Sequence, residues 1–164
     1  MVAIPTETNS AVRPETSSVS SSAHCSSRAL NTRITDPMDI AEFVAAEAQK
    51  PFRWGETDCV STVDRWIRSC TGLSPLAWVD REYSDAAGAA SVLSERGGLA
   101  VLVNRAMRSQ GFVKTDAPTT GDVGLIIHSG KLCMAVHAGG CWFSHDEHGF
   151  VGAPLNSVWK AWRL

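Results

Sequence analysis

The chain carries almost no net charge, no long apolar run and no paired set of cysteines, and each absence excludes something. Fifteen Lys and Arg against 17 Asp and Glu leave a formal charge of −2 with no basic stripe, so nucleic acid is not the expected partner. No apolar run approaches the roughly 18 to 20 residues needed to cross a bilayer. The N-terminus lacks a charged segment followed by an apolar one, so it does not read as a secretory signal. The five cysteines, Cys25, Cys59, Cys70, Cys133 and Cys141, are an odd number. Reduced thiols in a cytoplasm explain them more simply than a disulfide framework. At 164 residues the chain is long enough for one domain with a real core.

Residues 1–35 are rich in Ser and Thr and lack periodic apolar positions. Such a segment cannot bury enough surface to offset its ordering entropy and reads as a disordered tail. Met38 opens a segment with the look of an ordinary protein start, which leaves open that the first 37 residues are an over-extended reading frame. The folded domain is expected over 36–164. Asp36-Pro37 reads as a cap and first helical position, with Ile40, Phe43, Val44 and Ala48 at helical spacing behind it. A second helix is expected from about Asp58 to Cys70, ended by Gly72. A third starts at Ser84 or Asp85 and stops at Gly97-Gly98. A fourth runs from Leu99 to Gln110, with Leu102, Val103, Ala106 and Met107 on its apolar face. Beyond Gly111 the period changes to two. Strands are expected at 122–127, 132–137 and 141–145, then at Phe150-Val151 and 158–164. Helices first and an antiparallel sheet afterwards make an α+β domain.

Trp54-Gly55-Glu56-Thr57-Asp58-Cys59-Val60-Ser61 is the most informative stretch. It places Cys59 at the first turn of an amphipathic helix, where unpaired N–H groups and the positive end of the helix dipole favour a thiolate. Asp58 reads as the helix cap rather than a catalytic acid. Trp54 has two roles open, a cleft wall beside the thiol or core packing. Cys70, at the helix end where the dipole disfavours a thiolate, reads as inert.

The hairpin after residue 131 offers a second constellation. With 138–140 as a three-residue loop, 137 pairs with 141 and 133 with 145, and cross-strand Cβ atoms lie roughly 4.5 to 5.5 Å apart. Cys133 then sits beside His145 and His137 beside Cys141, and a one-residue slip would undo this. Three readings compete. An imidazole facing Cys59 would act as its base. A metal site would use all four residues, but the two pairs lie ~13 Å apart at ~3.3 Å per residue. Zinc needs its ligands at ~2.0 to 2.3 Å, so a regular hairpin cannot bring the four together. The third reading is structural, with small apolar cysteines and hydrogen-bonded core histidines.

The order of these parts resembles a known family. A Gly-x-x-Asp-Cys turn opening a helix, then Gly121-Asp122-Val123, then a hairpin, is similar to the NlpC-type cysteine peptidases. Trp54-Gly55, Gly97-Gly98, Gly139-Gly140 and the Ala161-Trp162-Arg163 finish resemble an uncharacterised phage- and prophage-associated branch. The resemblance covers about residues 38–164. It implies a papain-like fold, Cys59 as nucleophile with its own backbone N–H in the oxyanion hole, no cofactor, and a peptidoglycan peptide as substrate. The family's catalytic histidine position holds Cys133 here, and its third polar position falls at His145. From the neighbouring strand His145 is the expected substitute base, with His137 and His128 as weaker candidates. The lost histidine equally fits a catalytically inactive relative kept as a phage tail or virion assembly protein. A small metal-binding module is a third alternative.

Overall fold

Local capping sets the four helices. The computed structural model describes residues 39–79 and 82–164. The tail at 1–35 and the expected Asp36-Pro37 start lie outside the described residues. Helix α1 spans Ile40–Ala48, and its N-cap is Asp39, whose side chain accepts from the Ala41 N–H. Helix α2, Cys59–Thr71, starts at Asp58 and ends at Gly72, whose φ of 73° is the left-handed turn that a residue without Cβ adopts freely. Asp85 caps α3, Ala86–Glu95, by accepting from the Gly88 N–H. Helix α4, Leu99–Ser109, follows directly after Gly97 and Gly98.

Six strands follow: β1 Lys114–Thr115, β2 Val123–His128, β3 Lys131–His137, β4 Trp142–Asp146, β5 Gly149–Ala153 and β6 Val158–Trp162. They form one antiparallel sheet in the order β1-β6-β2-β3-β4-β5. Helices N-terminal to an antiparallel sheet are the α+β architecture expected from the change of period. The two-residue strand β1 and the 3₁₀ turn at Leu155–Ser157 carry no pattern long enough to have been anticipated. Ser129 and Gly130 both have positive φ, the two-residue turn whose twist suits a hairpin between β2 and β3.

The register between β3 and β4 corrects the expected one. Val136 pairs with Phe143 and His137 with Trp142, so the loop holds four residues, 138–141, rather than three. The Ala138 N–H closes it by donating to the Cys141 carbonyl. That slip moves all of β4 to the opposite face. Phe143 and His145 join Met134 and Val136 on the face covered by helices. Cys133 instead packs with Ile126, Ala135 and Trp142 on the other face. The expected Cys133–His145 and His137–Cys141 pairs therefore do not form.

The main core lies between α2, α4 and the sheet, where Val63, Trp66 and Ile67 meet Leu102, Val103 and Met107 and the strand residues Leu125, Met134 and Phe143. The Gly121-Asp122-Val123 motif has a structural reason. The buried Asp122 carboxylate accepts from the N–H groups of Thr119 and Leu164, tying the chain end to the start of β2. Trp66, Trp142 and Trp162 are buried, while Trp78 and Trp159 are exposed. No single helix among the described residues is long and apolar enough to cross a membrane.

Gly124 marks the tightest approach in the sheet. A Cβ there would lie 2.9 Å from the Lys160 carbonyl oxygen and 3.0 Å from the Trp142 ring. Backbone and a fully buried indole cannot give way cheaply, so Gly124→Ala is expected to cost about 1 to 3 kcal/mol in urea unfolding. An unchanged midpoint would show that β2, β6 and Trp142 are packed more loosely than this.

Candidate active site

Asp58 builds the site by fixing the start of α2. Its carboxylate accepts from the Ser61 N–H at 2.8 Å, the Gly55 N–H at 2.8 Å and the Tyr83 hydroxyl at 2.7 Å. Loop, helix and the segment before α3 converge on one side chain, which is 3% exposed. All its visible work is capping and tethering, in line with the cap reading. Cys59 follows as the first helical residue, half-buried, with its backbone N–H at the open start of the helix.

Cys59 lines a cavity of about 490 Å³ together with Trp54, Tyr83, Cys133, His145 and Asp146. Trp54 stands edge-on to Phe52 and Tyr83, so it serves as a cavity wall. The expected thiolate is not supported by this setting. Burial against apolar walls, and then the neighbouring Asp58 carboxylate, push the Cys59 thiol up to about 12, against weaker hydrogen bonding from the backbone of Met134 and Val60. The helix dipole is outweighed by desolvation and by the acid that caps the helix.

His145 has a defined protonation pattern. Its Nδ1 lies 3.4 Å from Thr62 Oγ1, one turn along α2 from Cys59 on the same helix face. The Thr62 hydroxyl has one proton and two lone pairs to share among three neighbours. The Thr57 carbonyl at 3.3 Å only accepts, and Arg65 Nη2 at 3.2 Å only donates. The hydroxyl proton therefore goes to Thr57, and Oγ1 accepts from Arg65 and from Nδ1–H. This assignment leaves Nε2 as a bare lone pair, and Nε2 is buried without a hydrogen-bond partner. Burial, as the largest influence, holds the imidazole below its ordinary value and so in the neutral form. No hydrogen bond joins it to Cys59 among the described residues.

Arg65 is itself held. Its Nε and Nη2 donate to the two oxygens of Glu47 at 3.0 and 2.6 Å, and Lys50 adds a bond at 2.6 Å. Glu47 is 2% exposed. Burial alone would raise its pKa, but the bonds from Arg65 and Lys50 outweigh that and lower it. The row Glu47–Arg65–Thr62–His145 thus runs from the end of α1 to β4. Sequence reading missed it. Glu47, Thr62 and Arg65 belong to two helices, and only Thr62 and Arg65 stand at a spacing that suggests contact.

Of the remaining candidates, His137 and Cys70 do not line the cavity, while Cys133 and His128 do. His137 Nδ1 accepts from the Gly139 N–H at 3.2 Å and its ring stacks edge-on to Trp142, a turn-stabilising role. Cys133 makes a long 3.9 Å contact to the Ile126 carbonyl, and burial raises its thiol to about 11. Cys70 is also raised by burial and borders the main core.

Residues 32–164 match the family described as a domain of unknown function (DUF6950), and the chain belongs to that family. No curated protein and no solved structure matches it.

The neutral buried imidazole makes stability depend on pH. The folded pKa of His145 is below the unfolded value of 6.5, so the unfolded state takes up the proton more readily. Its full contribution is present above about pH 6.5 and is lost as pH falls through that range. Urea midpoints should therefore drop between about pH 6.5 and 5, and His145→Phe should flatten that slope. An identical slope in the variant would place the titration elsewhere.

Proposed function

We propose that this domain is a papain-like, NlpC-type cysteine hydrolase that cleaves an amide bond through Cys59, with His145 as the base. The observation that carries the reading is the imidazole itself. It is held through Nδ1 on the face of α2 that bears Cys59, neutral, with Nε2 bare, and both residues line one cavity. A base whose far nitrogen is oriented by a third group is the arrangement that thiol and hydroxyl nucleophiles use. Here the orienting group is Thr62, and Arg65 and Glu47 hold Thr62 in turn.

The chemistry differs from a pre-formed thiolate–imidazolium pair. Cys59 rests as a thiol. As its sulfur attacks the carbonyl carbon, the proton passes to His145 Nε2, a C–S bond forms and the oxyanion points to the start of α2. His145 then gives the proton to the leaving nitrogen as the C–N bond breaks. Water attacks the thioester, His145 takes its proton, and the acid leaves as Cys59 regains its hydrogen. Hydrogen bonds of this kind tighten when substrate excludes water, so an open Cys59–His145 pair in the free protein fits the reading. The resemblance points to a cell-wall peptide as substrate and to a phage or prophage setting.

A second reading has its own support. The raised thiol and the absent Cys59–His145 bond favour a catalytically inactive relative, kept as a phage tail or virion assembly component.

Exposure to p-nitrophenyl acetate separates the two. A hydrolase should release a burst of nitrophenol with acetyl on Cys59 by peptide mapping. The burst should vanish in Cys59→Ser and slow on the order of 100-fold in His145→Gln. Unmodified Cys59, or equal rates with and without His145, would remove the catalytic reading and leave the inactive relative.

A further inference from the structure

The cavity beside Cys59 has an uneven wall. Its polar lining includes Asp58, His145 and Asp146. Its other walls come from Val79, Val60 and Leu102 and, above all, from α3. That helix buries only Ala89, yet Ala86, Ala89, Ala90, Val92 and Leu93 all face the cavity. A helix normally turns its apolar stripe onto protein. Here Val92 and Leu93 reach the main core, and the stripe also lines an open space of about 490 Å³, the size range of a small-molecule site.

The charges around this space are arranged against an anionic ligand. Lys131 is the one Lys or Arg among the lining residues, and it is paired with Glu147 at 3.2 Å. Asp58 and Asp146 are both on the wall, and Asp58 stands next to the reacting sulfur. A stem peptide with free carboxylates would find no unpaired cation here and would meet carboxylates at the reactive end. Placing such a ligand against Val and Leu side chains would cost its hydration without return.

We propose that the cavity takes the unbranched apolar acyl chain of a neutral carboxylic amide, with the chain along α3 and the carbonyl at Cys59. This rests on the hydrolase reading for the direction of the chain, and it puts hydrophobic N-acyl compounds in place of the cell-wall peptide that the resemblance suggests. The chain would cover the part of the α3 stripe that faces the cavity. The carbonyl meets the helix start and the imidazole. Hydrolysis turns the neutral carbonyl into a carboxylate beside Asp58 and Asp146, which favours departure of the acid.

Binding without turnover tests this on the full-length Cys59→Ser protein, with primary amides from propanamide to decanamide followed by calorimetry. Affinity should rise about two- to fourfold per methylene until the cavity is filled. Decanoate should bind more weakly than decanamide at pH 8. Ala90→Trp, at an exposed position on the cavity wall, should end the rise at a shorter chain. A flat dependence on chain length, or an alanyl-glutamate dipeptide binding more tightly than decanamide, would overturn the proposal. If Cys59 is acetylated by the short ester but amides show no chain dependence, the hydrolase reading stands and this one falls. If amides bind with the predicted steps while Cys59 stays unreactive, the ligand class stands and the hydrolase reading falls.

Discussion

The site depends on one buried carboxylate. Asp58 gathers the Gly55 and Ser61 N–H groups and the Tyr83 hydroxyl, and so fixes where α2 begins and where the cavity wall stands. Without it the first turn of α2 would lose its side-chain cap and the Trp54–Tyr83 wall its anchor. The same charge bears on the thiol. It stands next in sequence to Cys59 and opposes ionisation of the thiol, reinforcing desolvation by the apolar wall. A helix start is thus not by itself an activating position, because desolvation, reinforced by a charged cap, can reverse what the dipole offers.

This places the weight on His145. Two pairings of a thiol and an imidazole are available to a protein, an ion pair formed in advance or a neutral pair in which the proton moves with the attack. For the proposed hydrolase, the surroundings favour the second. Burial keeps the imidazole neutral, and Asp58 and the apolar wall keep the thiol protonated. The row through Thr62, Arg65 and Glu47 then does something that burial cannot. It decides which nitrogen is bare. Glu47 fixes the Arg65 guanidinium, Arg65 occupies one lone pair of the Thr62 oxygen, and the Thr57 carbonyl takes the hydroxyl proton. What remains for Nδ1 is to donate.

How much of this could be read from the chain follows from the range of each signal. Helix α2 was legible because Asp58 and Gly72 are local signals that bracket an apolar periodicity, and the placement of Cys59 came with it. The strands were legible from the change of period. The β3–β4 register was not, because Ala138-Gly139-Gly140-Cys141 suits a loop of three residues or of four, and only packing chooses. That one residue decided the site. In the shorter loop His145 would face Cys133, and in the observed one it faces α2. Cys59, Asp58 and His145 were named from sequence, but the geometry linking His145 to α2 was not. Glu47, Thr62 and Arg65 stayed hidden because their meeting is tertiary, and the raised thiol because it depends on walls supplied by α3 and α4.

The same slip bears on the departure from the NlpC-type pattern. If the residue at position 133 faced α2, its cysteine would leave a gap where a base is needed. It faces the second cluster instead, with Ile126 and Ala135. From there it still borders the cavity that Cys59 lines, and it adds to the influences that oppose ionisation of the Cys59 thiol. The helix-facing position on the neighbouring strand belongs to His145, and it is the position that the buried polar row reaches. Loop length is then what puts His145, the proposed base, on the helix-facing side of the sheet.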